Sequence, residues 1–183
     1  MHLEEKTLTS EQKFDGKIVK LYVDAVELED GERSFREVIK HPGGVCVLPL
    51  DEEGNVLFVR QFRYPHKKVL LEIPAGKLEY GESHAECGIR ELKEETGCTC
   101  DKYEYLGCLI PTPAYCGEVI HMYLARGLHY GEQKLDSGEF LDIEKIPLDK
   151  AVEMIMNNEI EDSKTQIAIL KTKIKLEMER SGS

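Results

Sequence analysis

Basic residues are the minority in this sequence: 24 lysines and arginines face 35 aspartates and glutamates, for a formal net charge of -11. That balance argues against a nucleic-acid backbone or an anionic membrane as the main partner. It leaves a small anionic substrate open, because a bound divalent cation inverts the local sign. No apolar run approaches the roughly 18 residues needed to span a bilayer. The opening MHLEEKTLTSEQKF has no apolar signal core. Cys46, Cys87, Cys98, Cys100, Cys108 and Cys116 form no Cys-x-x-Cys pair, and Cys98-x-Cys100 has no second pair at zinc spacing. Reduced thiols in a cytoplasmic protein are therefore expected. Internal repeats and low-complexity segments are also missing.

What is present suits one domain, or one domain with a small arm: 183 residues, 41% apolar and 32% charged. KIVKLYVDAVEL, the turn EDGE and RSFREVIKH read as a β-hairpin. GGVCVLPL, VLFVRQFRY, VLLEIPAG, KYEYLGCLI and EVIHMYLARGL read as further strands, with Pro65, Pro74 and Gly76 breaking the pattern. Three helices are expected. Ser83 to Thr96 carries an apolar stripe at Ala85, Ile89, Leu92 and Thr96, a Ser83/Glu86 capping box and a Gly97 stop. Asp149 to Asn157 is short and amphipathic. Ser163 to about Met178 carries a stripe at Ile167, Leu170 and Ile174. This order of elements fits a mixed sheet between helical layers, with the N-terminal hairpin as a separate small sheet.

The first helix and the turn before it gather Glu79, Glu82, Glu86, Glu91, Glu94 and Glu95 against only Lys77, Arg90 and Lys93. Glu91, Glu94 and Glu95 lie three and four apart, so on a helix they point roughly the same way. The stripe at Ala85, Ile89 and Leu92 places them opposite the packed face. Left alone, such carboxylates repel by roughly 0.2–0.5 kcal/mol per pair. A hard cation such as Mg2+ or Mn2+ removes that cost and prefers oxygen ligands. A solvated acidic face is the plainer alternative.

The spacing G-x5-E-x7-R-E-apolar-x-E-E-x-G-apolar, here Gly76, Glu82, Arg90, Glu91, Leu92, Glu94, Glu95, Gly97 and Cys98, resembles the Nudix hydrolase signature. The resemblance implies an α/β fold: a Nudix-type α/β/α sandwich with a mixed central sheet, plus a small N-terminal antiparallel sheet. It implies metal-dependent hydrolysis of a diphosphate linked to another group. Glu91, Glu94 and Glu95 would hold the cations, with the backbone carbonyl of Ala75 as a further ligand. Arg90 would orient the glutamates with its planar fork. Glu82 would brace the turn before the helix, or simply cap its first turn.

The wider chain, from about Phe14 to Leu170, resembles the ADP-ribose pyrophosphatase branch of that family in HPGGVCVLPL, VRQFRYPHKK, LEIPAGKLEYGE, PAYCGEVIHMYLA and IEDSKTQIAI. That branch implies cleavage of ADP-ribose to AMP and ribose 5-phosphate. It also implies a homodimer whose N-terminal strands, residues 1–40, cross to the partner, with residues 41–183 as the hydrolase domain. Arg63 matches a position that approaches the substrate's phosphate or ribose, and Arg36 one that reaches the nucleotide across the dimer. Arg36 also suits an ordinary strand surface, and Arg60 a structural or rim role. Where relatives often place an aromatic against adenine, this chain has Ile18 or Val19, with Tyr22 nearby. The acidic loop HYGEQKLDSGEFLDI offers Glu139 as the water-activating base, or as a solvated carboxylate, with Gly138 beside it for loop closure. Glu118 is a candidate for positioning metal or substrate. Another nucleoside diphosphate sugar or a dinucleotide as substrate, or a non-catalytic nucleotide-binding module, are the alternatives.

Overall fold

The computed structural model describes residues 3–79 and 81–182; Tyr80, inside the signature stretch, lies outside the described residues. The chain forms two compact units, one of residues up to Gly43 with Ile110–Val119, the other of Gly44–Leu109 with Ile120–Ser183.

In the first unit, β1 (Lys6–Asp15), β2 (Lys20–Glu27) and β3 (Arg33–Lys40) form an antiparallel sheet in the order β1-β2-β3. The expected hairpin is β2 and β3. Gly31 turns it with φ +84, and its N–H donates to Leu28 O at 3.0 Å. β1 was not expected. Its sequence KTLTSEQKFD has no apolar alternation, and within it every residue but the half-buried Leu8 is exposed. The 110–119 segment joins this unit through Ile39, whose N–H donates to Tyr115 O at 2.7 Å and whose carbonyl accepts from Gly117 N at 2.9 Å.

The second unit holds β4 (Gly44–Leu50), β5 (Asn55–Arg63), β6 (Lys68–Glu72), β7 (Ala75–Lys77), β8 (Thr99–Leu109), β9 (Ile120–His129) and β10 (Asp142–Pro147). The order is β10-β5-β4-β9-β8, with β6 on β5 and β7 on β4. β4 and β9 run parallel and the other pairs antiparallel, so the sheet is mixed. The helices are α1 (His84–Thr96), α2 (Leu148–Met156) and α3 (Ser163–Ser181).

Period-two alternation sorts the strands between two layers. Cys46, Leu48, Val56, Phe58, Met122 and Leu124 pack with Ala151 and Ile155 of α2 and Ala168 and Ile169 of α3. Val45, Val47, Leu57, Tyr123 and Ala125 pack with Cys87 and Leu92 of α1. The sheet therefore lies between helices on both faces, the expected α/β/α sandwich.

Three expectations need correction. β10 is a strand that the sequence does not predict: Asp142 and Ile143, expected in the acidic loop, start a segment DIEKIP that pairs with β5 from Asp142↔Arg60 to Pro147↔Asn55, a long-range match that no local signal announces. In α3 the buried residues are Lys164, Thr165, Ala168, Ile169 and Thr172, whereas Ile174 is exposed. In α1 the buried face is Cys87, Gly88, Leu92, Glu95 and Thr96, and Ile89 is 49% exposed. The acidic row is thus not opposite the packed face but runs along its border.

Candidate active site

Small residues set the rotation of α1. A Cβ on Gly88 would lie 2.0 Å from the Tyr103 hydroxyl oxygen and 3.0 Å from Val45 Cγ2, so only glycine lets the helix sit this close to the sheet. At the N-terminus the capping box is complete: Glu86 N donates to Ser83 Oγ and Ser83 N donates to Glu86 Oε2 at 3.1 Å. His84 Nδ1 lies 2.6 Å from the Tyr123 hydroxyl, fastening the same end to β9. At the C-terminus Gly97 is left-handed, φ 72, and donates to Lys93 O at 2.9 Å.

The chain between β6 and β7 is pinned residue by residue. Ile73 N donates to Thr165 Oγ1 at 3.0 Å, and the Pro74 carbonyl accepts from Val47 N at 2.9 Å. Ala75 N donates to Glu95 Oε2 at 3.1 Å. At Gly76 a Cβ would lie 1.8 Å from Glu91 Oε1, so the Glu91 carboxylate rests directly on the backbone. Two of the three predicted metal carboxylates therefore meet the start of β7, whose Ala75 carbonyl is the predicted fourth ligand.

Arg90 is the hub. Its Nε and Nη2 donate to Glu82 at 2.8 and 3.1 Å, and its Nη1 donates to Glu91 and Glu94, each at 2.8 Å. No ammonium could make these bonds in one plane. Glu82 also accepts from Glu79 N at 3.1 Å, which ties the turn to the helix. The Arg90 guanidinium is the main cause that holds the Glu82 carboxyl down at about 2. Glu82 is bonded on both sides of the junction, to Glu79 N and to Arg90, while the capping bonds are made by Glu86.

Glu91 and Glu95 behave in the opposite sense. Burial pushes both carboxyls up, and for Glu95, with Glu91 the next largest cause, the value reaches about 8. Burying Leu92 contributes about 1.5–3 kcal/mol. Burying an ionised carboxylate without a counter-charge costs several kcal/mol. The helix can hold Glu95 in this place only with a proton or a cation. That donor set, hard oxygens short of positive charge beside a backbone turn, fits Mg2+ or Mn2+. Among the described residues no three acidic, histidine or cysteine side chains already close round one point. Arg90 draws Glu91 and Glu94 to itself, and Glu95 serves Ala75 N.

The loop after β9 is tied to the end of α1. Lys134 N donates to Glu94 O at 3.0 Å, and Gln133 Nε2 donates to Glu95 O at 2.6 Å. These bonds satisfy helix-terminal carbonyls. They bring Glu139 close enough that its charge raises both Glu91 and Glu95. Gly138 is left-handed at φ 92, and Glu139 N donates to Asp136 O at 3.0 Å. Gln133 and Lys134 were not singled out in the sequence; their contribution is a backbone tether, which residue type does not announce.

The NUDIX domain family matches residues 40–166, and the nucleoside diphosphate sugar hydrolase N-terminal domain matches residues 5–39. The chain belongs to the Nudix family. It is 45% identical to the methanol dehydrogenase activator of Bacillus methanolicus and 43% identical to the ADP-ribose pyrophosphatase of Bacillus subtilis, covering 91% of each chain in both cases. A solved ADP compounds hydrolase superposes with a TM-score of 0.85 over 96% of both chains at 19% identity, which bears on the fold.

The other residues expected from the Nudix resemblance are placed as follows. Arg63 donates from Nε and Nη2 to the two oxygens of Glu72 at 2.6 and 2.7 Å. Glu72 also accepts from Lys164, which in turn lies 3.0 Å from Asp162. The sequence reading missed Glu72 and Lys164, although a lone glutamate in the apolar run VLLEIP was a signal. Arg60 pairs with Glu144 at 2.6 Å, a structural role. Arg36, Ile18 and Glu118 belong to the other unit. There Arg36 Nε donates to Glu5 at 2.9 Å, Ile18 is 60% exposed, and Glu118 lies 3.5 Å from His41 Nδ1. Val19 is exposed too, and Lys40 Nζ sits 3.7 Å over the Tyr22 ring.

Proposed function

We propose that this Nudix chain hydrolyses the diphosphate of ADP-ribose: water adds to one phosphorus, the bridging P–O bond breaks, and AMP and ribose 5-phosphate leave. The observation that carries the reading is the pair of carboxylates, half-buried Glu91 and buried Glu95, set against Ala75 and Gly76 of β7. The 43% identity to an ADP-ribose pyrophosphatase supports the choice of substrate.

Glu91, Glu94, Glu95 and the Ala75 carbonyl hold Mg2+, for which Mn2+ substitutes. When bound, the cation offsets phosphate charge and lowers the pKa of the attacking water. Arg90 keeps the glutamates in register, and Glu82 holds Arg90. Glu139 takes the proton from the attacking water onto a carboxylate oxygen, and Gly138 gives its loop the freedom to approach. Arg63 meets the phosphate or ribose. A guanidinium can grip phosphate through two parallel hydrogen bonds.

The N-terminal sheet completes the reading. A homodimer with exchanged N-terminal strands brings Arg36 to the nucleotide and Ile18 against the adenine, and Glu118 positions substrate. The exposure of Ile18 is consistent with a surface that meets a partner. A cytoplasmic location suits the six free cysteines. Among the described residues no helix is long and apolar enough to cross a membrane.

The test is a panel of nucleoside diphosphate sugars and dinucleotides with Mg2+ or Mn2+, both products identified. Preferential release of AMP and ribose 5-phosphate from ADP-ribose supports the reading. Faster hydrolysis of a uridine or guanosine diphosphate sugar overturns the choice of base, and binding without turnover overturns the enzyme.

A further inference from the structure

Lys164 is the most improbable charge in the molecule. It is 8% exposed and sits in the first turn of α3, just after the N-cap Asp162. Burial and the positive end of the helix macrodipole both disfavour a cation there. Two anions compensate it: Asp162 and the still more deeply buried Glu72, 2% exposed. Glu72 already has a bidentate partner in Arg63, so this deeply buried carboxylate is shared between two cations, while Asp162 balances the second charge.

The two cations differ in what they can reach. The Arg63 side chain is 39% exposed, and its Nη1 has no partner among the described residues. Lys164 is enclosed. If Arg63 turns toward an anionic substrate it must leave Glu72, and a buried carboxylate stripped of its only counter-charge is heavily penalised. Lys164 removes that penalty by staying behind.

We infer that Lys164 is a positioning residue for substrate binding: it holds the charge of Glu72, so that Arg63 can exchange Glu72 for the substrate's phosphate or ribose without stranding a buried anion. The inference rests on the reading of Arg63 as a substrate contact. Glu72 has a second effect, since it holds Arg63 in one orientation until substrate arrives. The segment after Glu72 continues through Ile73 and Pro74 to Ala75, so the exchange takes place next to the proposed metal site.

The experiment is steady-state kinetics on the full chain with saturating Mg2+ and ADP-ribose. Wild type is compared with Lys164→Met, Lys164→Arg, Glu72→Gln and the double variant E72Q/K164M, with melting temperatures in parallel. In K164M, Arg63 becomes the sole partner of Glu72, so KM rises by at least about tenfold while kcat changes by less than about threefold. K164R keeps the charge and restores KM. In E72Q/K164M position 72 carries no charge for Arg63 to strand, and KM returns to within about threefold of E72Q alone. A purely structural lysine lowers the melting temperature and leaves KM alone. A folded K164M with wild-type KM, or a double variant no better than K164M, overturns the proposal.

If K164M does not fold, a structure of the wild-type protein with an uncleavable ADP-ribose analogue decides. Arg63 on the ligand with Glu72 retained by Lys164 supports the exchange, and Arg63 still on both oxygens of Glu72 overturns it. Failure of the wild type to cleave ADP-ribose is a failure of the substrate assignment instead. The KM comparison is then made with whichever diphosphate the protein does hydrolyse.

Discussion

Gly76 and Glu91 occupy the same small volume: a methyl group on Gly76 would lie 1.8 Å from Glu91 Oε1 and 2.0 Å from its Cδ. The first glycine of the signature is therefore a seat for a carboxylate rather than a turn residue. Gly76 is not among the glycines with positive φ, so conformational freedom is not what the position requires.

Gly76→Ala tests the seat. The alanine must push Glu91 away from β7, an overpacking cost of about 1–3 kcal/mol. A displacement of this size at a reacting centre lowers kcat by roughly 10²-fold. Melting temperature and kcat with Mg2+ are the measurements. An alanine variant within about threefold of wild-type kcat would show that the catalyst does not need Glu91 in this place.

Acid should weaken the Arg90 hub. Glu82 is held at about 2 against an ordinary 4.5, chiefly by its hydrogen bonds from Arg90. A depressed folded-state pKa contributes stability that is present above 4.5 and lost as pH falls toward 2. Glu72 acts in the same direction: burial pushes it up, but Arg63 and Lys164 outweigh burial. The melting temperature of the wild type should exceed that of Glu82→Gln at neutral pH, and the gap should close through this window. A gap independent of pH would mean that charge is not what Glu82 contributes.

Glu95 predicts the reverse slope. Burial first, and the Glu91 charge second, raise its carboxyl from 4.5 to about 8. A raised folded-state pKa means stability that is full below 4.5 and lost as pH rises through 8. In the presence of a chelator, Glu95→Gln should match the wild type near pH 5 and be the more stable protein near pH 9. The same variant should lose activity by roughly 10²-fold or more, because its amide is a neutral ligand where the cation needs an anion. Thermal melts at the two pH values check the first claim and turnover with Mg2+ the second. Equal melts at high pH would mean that Glu95 ionises there without cost.

The parts of α1 legible in the sequence were those made by local chemistry. Ser83 with Glu86, and Gly97, mark its two ends because caps depend on residues three or four apart. Its rotation is not legible from the large apolar residues, because Ile89 is one of them and is exposed. Gly88 and Cys87 mark it instead, since close approach to Val45, Val47 and Tyr103 requires small side chains, and Ile89 is left outside. That rotation also determines the burial of Glu95, the main cause of its raised carboxyl pKa. β1 and β10 escaped for a related reason: each is polar, and each is made a strand by a partner elsewhere in the chain. The Glu72–Lys164 pair spans 92 positions, a separation at which no periodicity operates.

Glu139 carries the remaining chemical assignment. It is exposed, on a loop whose near end is tied to the last turn of α1 by Gln133 and Lys134, and its charge is felt at both Glu91 and Glu95. A base in that position is near the carboxylates without being buried among them, so it can accept a proton and release it to solvent. Positioned bases contribute about 10²–10⁴ in rate. Glu139→Gln should lower kcat within that range at saturating Mg2+, leave KM for ADP-ribose within about threefold, and leave the melting temperature unchanged. Neighbouring Glu132, exposed on the same loop, serves as the control and should tolerate glutamine. A loss below about tenfold in the Glu139 variant would assign the base elsewhere.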